Sequence, residues 1–201
     1  MKKGRLFLVI LLLAAVVLPA IPAMAINFGS GTYGACQYST CSISIGSSVN
    51  LSLDVTPTSS GVCTTQSDSV SVLTDDPNGY TLTLANSSTN QALTNGLTAT
   101  INSTTATQSS PTSLAVNNWG YRVDGVGGFG AGPTVSQSNA GLDSVTFAQV
   151  PASNSAPDVL ADTSVAADPA VGTTVWYRVC ADINEPSGAY TGQVTYTAIT
   201  N

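Results

Sequence analysis

The chain has no histidine, only five Lys and Arg residues, four cysteines and two tryptophans among 201 residues. Charged residues make up 8 % of it, against about 25 % in an ordinary globular domain. Each scarcity excludes a class of chemistry. Without imidazole there is no Ser-His-Asp or Cys-His site and no His-ligated zinc. Lys2, Lys3 and Arg5 hold three of the five positive charges; beyond them only Arg122 and Arg178 face eleven carboxylates. A surface so poor in cations cannot neutralise a phosphate backbone, so nucleic acid is excluded as a partner. No Lys follows Lys3, which removes the amine of a Lys–Asn isopeptide crosslink.

The first 25 residues have the form of a secretory signal peptide. A short basic start leads into the apolar run Leu6–Leu18, Pro19 and Pro22 break any helix, and Ala23-Met24-Ala25 supplies the small residues of a cleavage site. The run is short for a membrane span of about 20 residues. Cleavage is therefore expected before Ile26, leaving no transmembrane span. Residues 26–41 read as an N-terminal arm with a local Cys loop. Residues 42–201 read as one β-sandwich domain.

From residue 26 onward, 51 of 176 residues are Ser or Thr. No window carries a 3.6-residue apolar stripe, whereas several alternate with period two. Val49, Leu51, Leu53 and Val55 form one such set, and Val70 with Val72 continue the style. Tyr80, Leu82 and Leu84 form another, followed by Val175, Tyr177 and Val179 and by Val194, Tyr196 and Ala198. Period two places each set on one sheet face, with a Thr-rich face in water. Turn signals punctuate these runs: Asp76-Pro77-Asn78-Gly79, Asn95-Gly96 and Pro186-Ser187-Gly188. The expected fold class is all-β: a single antiparallel β-sandwich of Ig-like or Greek-key type. A Gly-rich loop at 125–133, read as mobile, and an irregular Ala/Pro-rich stretch at 151–172 interrupt it.

Cys36, Cys41, Cys63 and Cys180 allow three pairings. Cys36–Cys41 can close a local loop, and Cys63–Cys180 would then tie an early strand to a late one. Zinc is the competing reading, but the Cys-x-x-Cys spacing is absent and exported chains favour disulfides. No metal or other cofactor is expected. Asp75-Asp76-Pro77-Asn78-Gly79 lacks EF-hand spacing and reads as a hairpin turn. Asp182 and Glu185 could serve a carboxylate-dependent glycan hydrolase, although a spacing of three does not pair them across one site. No catalytic residue is assigned. The candidate contact residues are Tyr80, Trp119, Tyr121, Trp176, Tyr177 and Tyr196, which could offer flat rings to a sugar or instead pack in the core.

Two segments carry a resemblance. Gly79-Tyr80-Thr81-Leu82-Thr83-Leu84, followed by Leu93–Ile101, resembles the first signature of WxL-type bacterial surface proteins. Ser187–Ala198, with Tyr190-Thr191-Gly192-Gln193-Val194-Thr195-Tyr196, resembles the second. Tyr80 and Tyr196 stand where Trp is usual, and Ala198 stands where Leu is usual. The resemblance implies export and non-covalent association with a bacterial cell wall. The expected function is thus that of a secreted, envelope-associated, non-catalytic surface protein. It would bind cell-wall glycan or other surface proteins and could form homo-oligomers. The alternatives are a pilus- or coat-like subunit assembled by strand addition, with the 26–41 arm as donor, and the secreted hydrolase.

Overall fold

The computed structural model describes residues 41–47 and 50–201. The signal peptide, the arm as far as residue 40, Cys36 and Val49 lie outside the described residues. Twelve strands run along the described chain: β1 (Ile43–Ser47), β2 (Val62–Thr74), β3 (Tyr80–Asn86), β4 (Leu93–Thr94), β5 (Thr100–Ser103) and β6 (Thr112–Ser113). They continue as β7 (Asn118–Arg122), β8 (Gln137–Ala140), β9 (Thr146–Phe147), β10 (Asp158–Asp162), β11 (Ala167–Ala181) and β12 (Val194–Thr200). No helix forms among the described residues, so the chain is all-β.

Seven strands make one sheet in the order β1-β2-β11-β7-β5-β4, with β8 sharing the outer edge of β2 with β1. Three make a second sheet, β10-β3-β12, and β6 pairs β9. Every ladder between these strands is antiparallel except β5–β7, which runs parallel at Asn102↔Asn118 and Ser103↔Trp119. The spine is the β2–β11 ladder, in register from Val62↔Ala181 to Val70↔Thr173.

The two larger sheets are packed together on one apolar core. Alternation sends Val70 and Val72 from β2, Val175, Tyr177 and Val179 from β11, and Trp119 and Tyr121 from β7 to the same side. Tyr80, Leu82 and Leu84 of β3 and Leu160 of β10 meet them there, all but the rim buried. The Thr-rich faces of β3 and β12 point outward as alternation requires, and Thr195 and Thr197 are exposed. The rule fails on β2, where Thr64 and Thr65 are buried, because the large sheet is covered on both sides.

Four local expectations are corrected. Leu51, Leu53 and Val55 are half-buried against the core, as their period demands, but residues 50–57 form no strand ladder. Side chains hold that segment instead: Thr64 Oγ1 donates to the Asp54 carbonyl at 2.7 Å, and Asn139 Oδ1 accepts from the Thr56 amide at 2.6 Å. The turn at 76–79 is not a hairpin, since β2 and β3 lie in different sheets. Asp76 Oδ1 accepts the Asn78 amide, and Gly79 adopts φ +86°. A Cβ at Gly79 would sit 2.2 Å from the Thr163 carbonyl oxygen, so only glycine fits this crossing. The Gly-rich loop is pinned rather than loose. Gly125 N donates to Gly130 O at 2.7 Å, Gly128 N donates to Gln108 O at 2.8 Å, and Phe129 is buried. The stretch 151–172 contains β10 and the start of β11, which pair β3 and β2.

Cys63 and Cys180 face one another in the β2–β11 register and form a disulfide. Cys41 is disulfide-bonded too; Cys36, the partner expected for it, lies outside the described residues.

Candidate functional site

Four of the six aromatic residues expected at a contact surface are buried in the frame. Tyr177 and Tyr121 are register partners on β11 and β7, so both rings point into the core. Tyr121 packs edge-on to Phe129, with ring centroids 5.4 Å apart, and its hydroxyl donates to Asp158 Oδ2 at 2.6 Å. Trp119 Nε1 donates to the Gln91 carbonyl at 2.9 Å. The Tyr177 and Tyr196 hydroxyls are 2.7 Å apart. Burial pushes both of these phenols well above the usual tyrosine range. Tyr80 is fully buried, and among the described residues its hydroxyl has no partner. Rings with no exposed face cannot stack on a polymer, so Tyr80, Trp119, Tyr121 and Tyr177 are removed as contact residues. Trp176 and Tyr196 are half-buried, the first against the smaller cluster around Phe147 and the second against the main core.

The acidic candidates are tied into turns. Asp75 Oδ1 accepts the Ser42 amide at 2.8 Å. Asp182 accepts from the Asn117 side chain and from the Asn184 amide and side chain, and these bonds hold its carboxyl below the usual range, Asn117 most of all. Glu185 accepts from the Tyr190 hydroxyl at 2.7 Å.

What the sequence did not reveal is a polar cluster on the far side of the large sheet. Arg122 stands opposite Trp176 on the β7–β11 ladder, and Arg178 stands opposite Gly120. Opposed residues share a face, so both guanidiniums emerge on the side away from the main core. Across the sheet, Gly120, Arg178, Thr65 and Gln137 form one row through β7, β11, β2 and β8. Gly120 is required there, because a Cβ would lie 2.7 Å from the Ala148 carbonyl oxygen.

Arg178 is a hub. Its Nε donates to Thr65 Oγ1 at 2.7 Å, its Nη2 to Gln137 Oε1 and to Asp143 Oδ2 at 2.8 Å, and its Nη1 to Asp143 Oδ1. The guanidinium carbon lies 4.9 Å from the Phe147 ring centroid, a cation–π contact. Arg122 donates to Asp124 at 2.7 Å, to Thr134 Oγ1 at 2.8 Å and to Thr146, and lies 5.8 Å from the Phe129 ring. The Arg178 hydrogen bond, then the Val145 amide, holds the Asp143 carboxyl below its usual range. Burial raises Asp124, but the Thr134 hydroxyl and amide and then Arg122 outweigh it, so this carboxyl also lies low.

Arg122, Arg178, Thr134 and Gln137 line a cleft of about 610 Å³ with Phe129, Val135 and Thr146 on its walls. Each guanidinium is matched by one carboxylate, Asp124 or Asp143, so the four groups carry no net formal charge. Their hydrogen-bonding capacity holds the 124–147 segment onto the sheet. The one sequence signal was the placement of Arg178 among the alternating apolar residues Val175, Tyr177 and Val179. No family model, curated protein or solved structure matches this chain.

Proposed function

We propose that this chain is an exported, envelope-associated surface protein that works by contact and not by catalysis, binding wall glycan or neighbouring surface subunits. The observation that carries the reading is the outer face of the β10-β3-β12 sheet. Thr83 lies opposite Thr197, Thr81 lies opposite Ile199, and Thr195 follows on the same side. The Thr81 hydroxyl reaches Asn201 at 2.7 Å, and the Thr83 hydroxyl donates to the Thr197 carbonyl at 3.3 Å. Hydroxyls both donate and accept, which suits the hydroxyls and amides of a neutral polymer. Such contact releases no counterions and is insensitive to salt. The Cys63–Cys180 disulfide supports an oxidising compartment, and the leader sequence and the WxL resemblance point the same way.

Fractionation of native cells tests the reading. Envelope association should survive high salt and be lost on muramidase treatment. Recovery of the protein wholly from the medium overturns it. Thr83→Glu, on the central strand of the sheet, should fold and be retained less.

A further inference from the structure

The strands at the sheet margins differ in how well they are protected. β4 has two residues, and Thr94 exchanges both main-chain hydrogen bonds with Thr191, at 3.0 and 2.8 Å. β10 carries Asp158 and Asp162 at its ends, and Gln108 Nε2 donates to its Val159 carbonyl at 2.7 Å. β8 is bent at Asn139, with φ +51°, and β1 contains Gly46. Short length, charge, irregular backbone and side-chain cover are the devices that keep sheet edges from pairing.

β12 has neither short length, charge nor an irregular backbone. Its seven residues, Val-Thr-Tyr-Thr-Ala-Ile-Thr, contain no charge, proline or glycine. Gln193 O accepts from Ser87 N, and Asn201 N donates to Gly79 O, so the odd-numbered residues bond toward β3. Alternation then turns the N–H and C=O groups of Val194, Tyr196, Ala198 and Thr200 away from β3. No strand pairs with that edge among the described residues; β1 approaches β12 without hydrogen bonding to it. Ile199 is 56 % exposed beside it.

Resting on the contact function above, we propose that β12 pairs antiparallel with β12 of a second copy of this chain, about a two-fold axis at Thr197. This register uses all seven residues and satisfies the outward main-chain groups, joining two three-stranded sheets into one of six. It sets Tyr196 against the partner's Ala198, large against small, on the core side. On the outer side it sets Thr195 against the partner's Ile199. A second copy is favoured because this stretch of an otherwise acidic chain is uncharged and its two halves complement each other in size.

Sedimentation velocity of the full chain over a range of concentrations tests the pairing. The wild type should give the dimer mass. Ala198→Pro removes an N–H that points away from β3, so the internal ladder survives and the monomer mass is expected. Ile199→Lys, which keeps every N–H, should also give the monomer and serves if the proline variant fails to fold. Thr197→Cys, at the axis, should crosslink the two copies under oxidation. A wild type monomeric throughout, or a folded Ala198→Pro or Ile199→Lys variant that stays dimeric, overturns the proposal. Fractionating wild-type cells separates the two claims. A wild-type monomer retained in the envelope overturns the pairing alone, whereas a dimer found only in the medium overturns the contact function and leaves the pairing supported.

Discussion

On one side of the seven-stranded sheet, Val70, Val72, Val175 and Tyr177 meet Leu82, Leu84 and Leu160 in an apolar layer. On the other side, Arg178 lies over Phe147 beside the Cys63–Cys180 bridge, and Arg122 and Arg178 are closed in by Asp124 and Asp143. The same strands build both sides, since successive residues of β11 alternate between them. The first side gains its stability from apolar area removed from water. The second has little such area: ion pairs and hydroxyls hold its cover, and a covalent bond ties β2 to β11 beneath it. Polar clamps need specific partners, so the second side should fail by single changes that the first would spread over many contacts.

The largest expected effect tests the covalent element of the clamped side. Replacing both Cys63 and Cys180 by Ala opens a bridge spanning 117 residues, and the chain-entropy model assigns such a loop about 4–5 kcal/mol. Denaturant unfolding of the double variant should show that loss.

Tyr80→Ala probes the apolar side and should cost about 3–5 kcal/mol, as large-to-small changes at buried aromatic sites do. Its companion, Tyr80→Phe, removes a buried hydroxyl with no partner among the described residues and should be neutral or stabilising by about 1 kcal/mol. A marked loss in Tyr80→Phe would show that the hydroxyl has a bound partner.

Arg178→Met should cost about 3 kcal/mol, because Thr65, Gln137 and Asp143 all lose their donor. Near-wild-type stability would mean that the cover is held by its apolar residues after all.

Acid supplies the smallest and most selective test. Asp143 and Asp124 lie below their ordinary value of 3.8 in the folded state. Their contribution is therefore present above about pH 4 and is lost as pH falls through the lowered folded values. Burial raises Asp158, against the opposing Tyr121 hydrogen bond, so that group changes stability with the opposite sign. The urea midpoint should fall in acid for the wild type and fall less for Arg178→Met.

The two sides also differ in how readable they were. Period-two alternation placed Leu82, Leu84, Val175 and Val179 on buried faces correctly, because a single apolar face leaves a regular trace, while Tyr80 and Tyr177 on the same faces were left open between core and contact. It could not foresee that the opposite face of β2 and β11 would be covered as well. Thr65 and Arg178 look like solvent-facing residues until the 124–147 segment folds over them, and that contact is set by long-range register. The same limit applied to Tyr80, Trp119, Tyr121 and Tyr177: residue type suggested contact, while position on the alternating strand decided for the core. The short strands β4, β6 and β9 have two residues each, too few for any period to show. β10 lay hidden in Ala- and Asp-rich sequence whose pairing with β3 no local pattern announces.

The position of the Cys63–Cys180 bridge has a mechanical consequence. A chain anchored to a surface and pulled by its ends can surrender only the residues before Cys63 and after Cys180. The 117-residue separation between the two cysteines, at ~3.4 Å of contour per residue, seals about 400 Å of chain from extension. Under load β12 can peel from β3 and β1 from β2, while β7, β10 and the arginine clamps stay inside a covalent loop that force cannot lengthen.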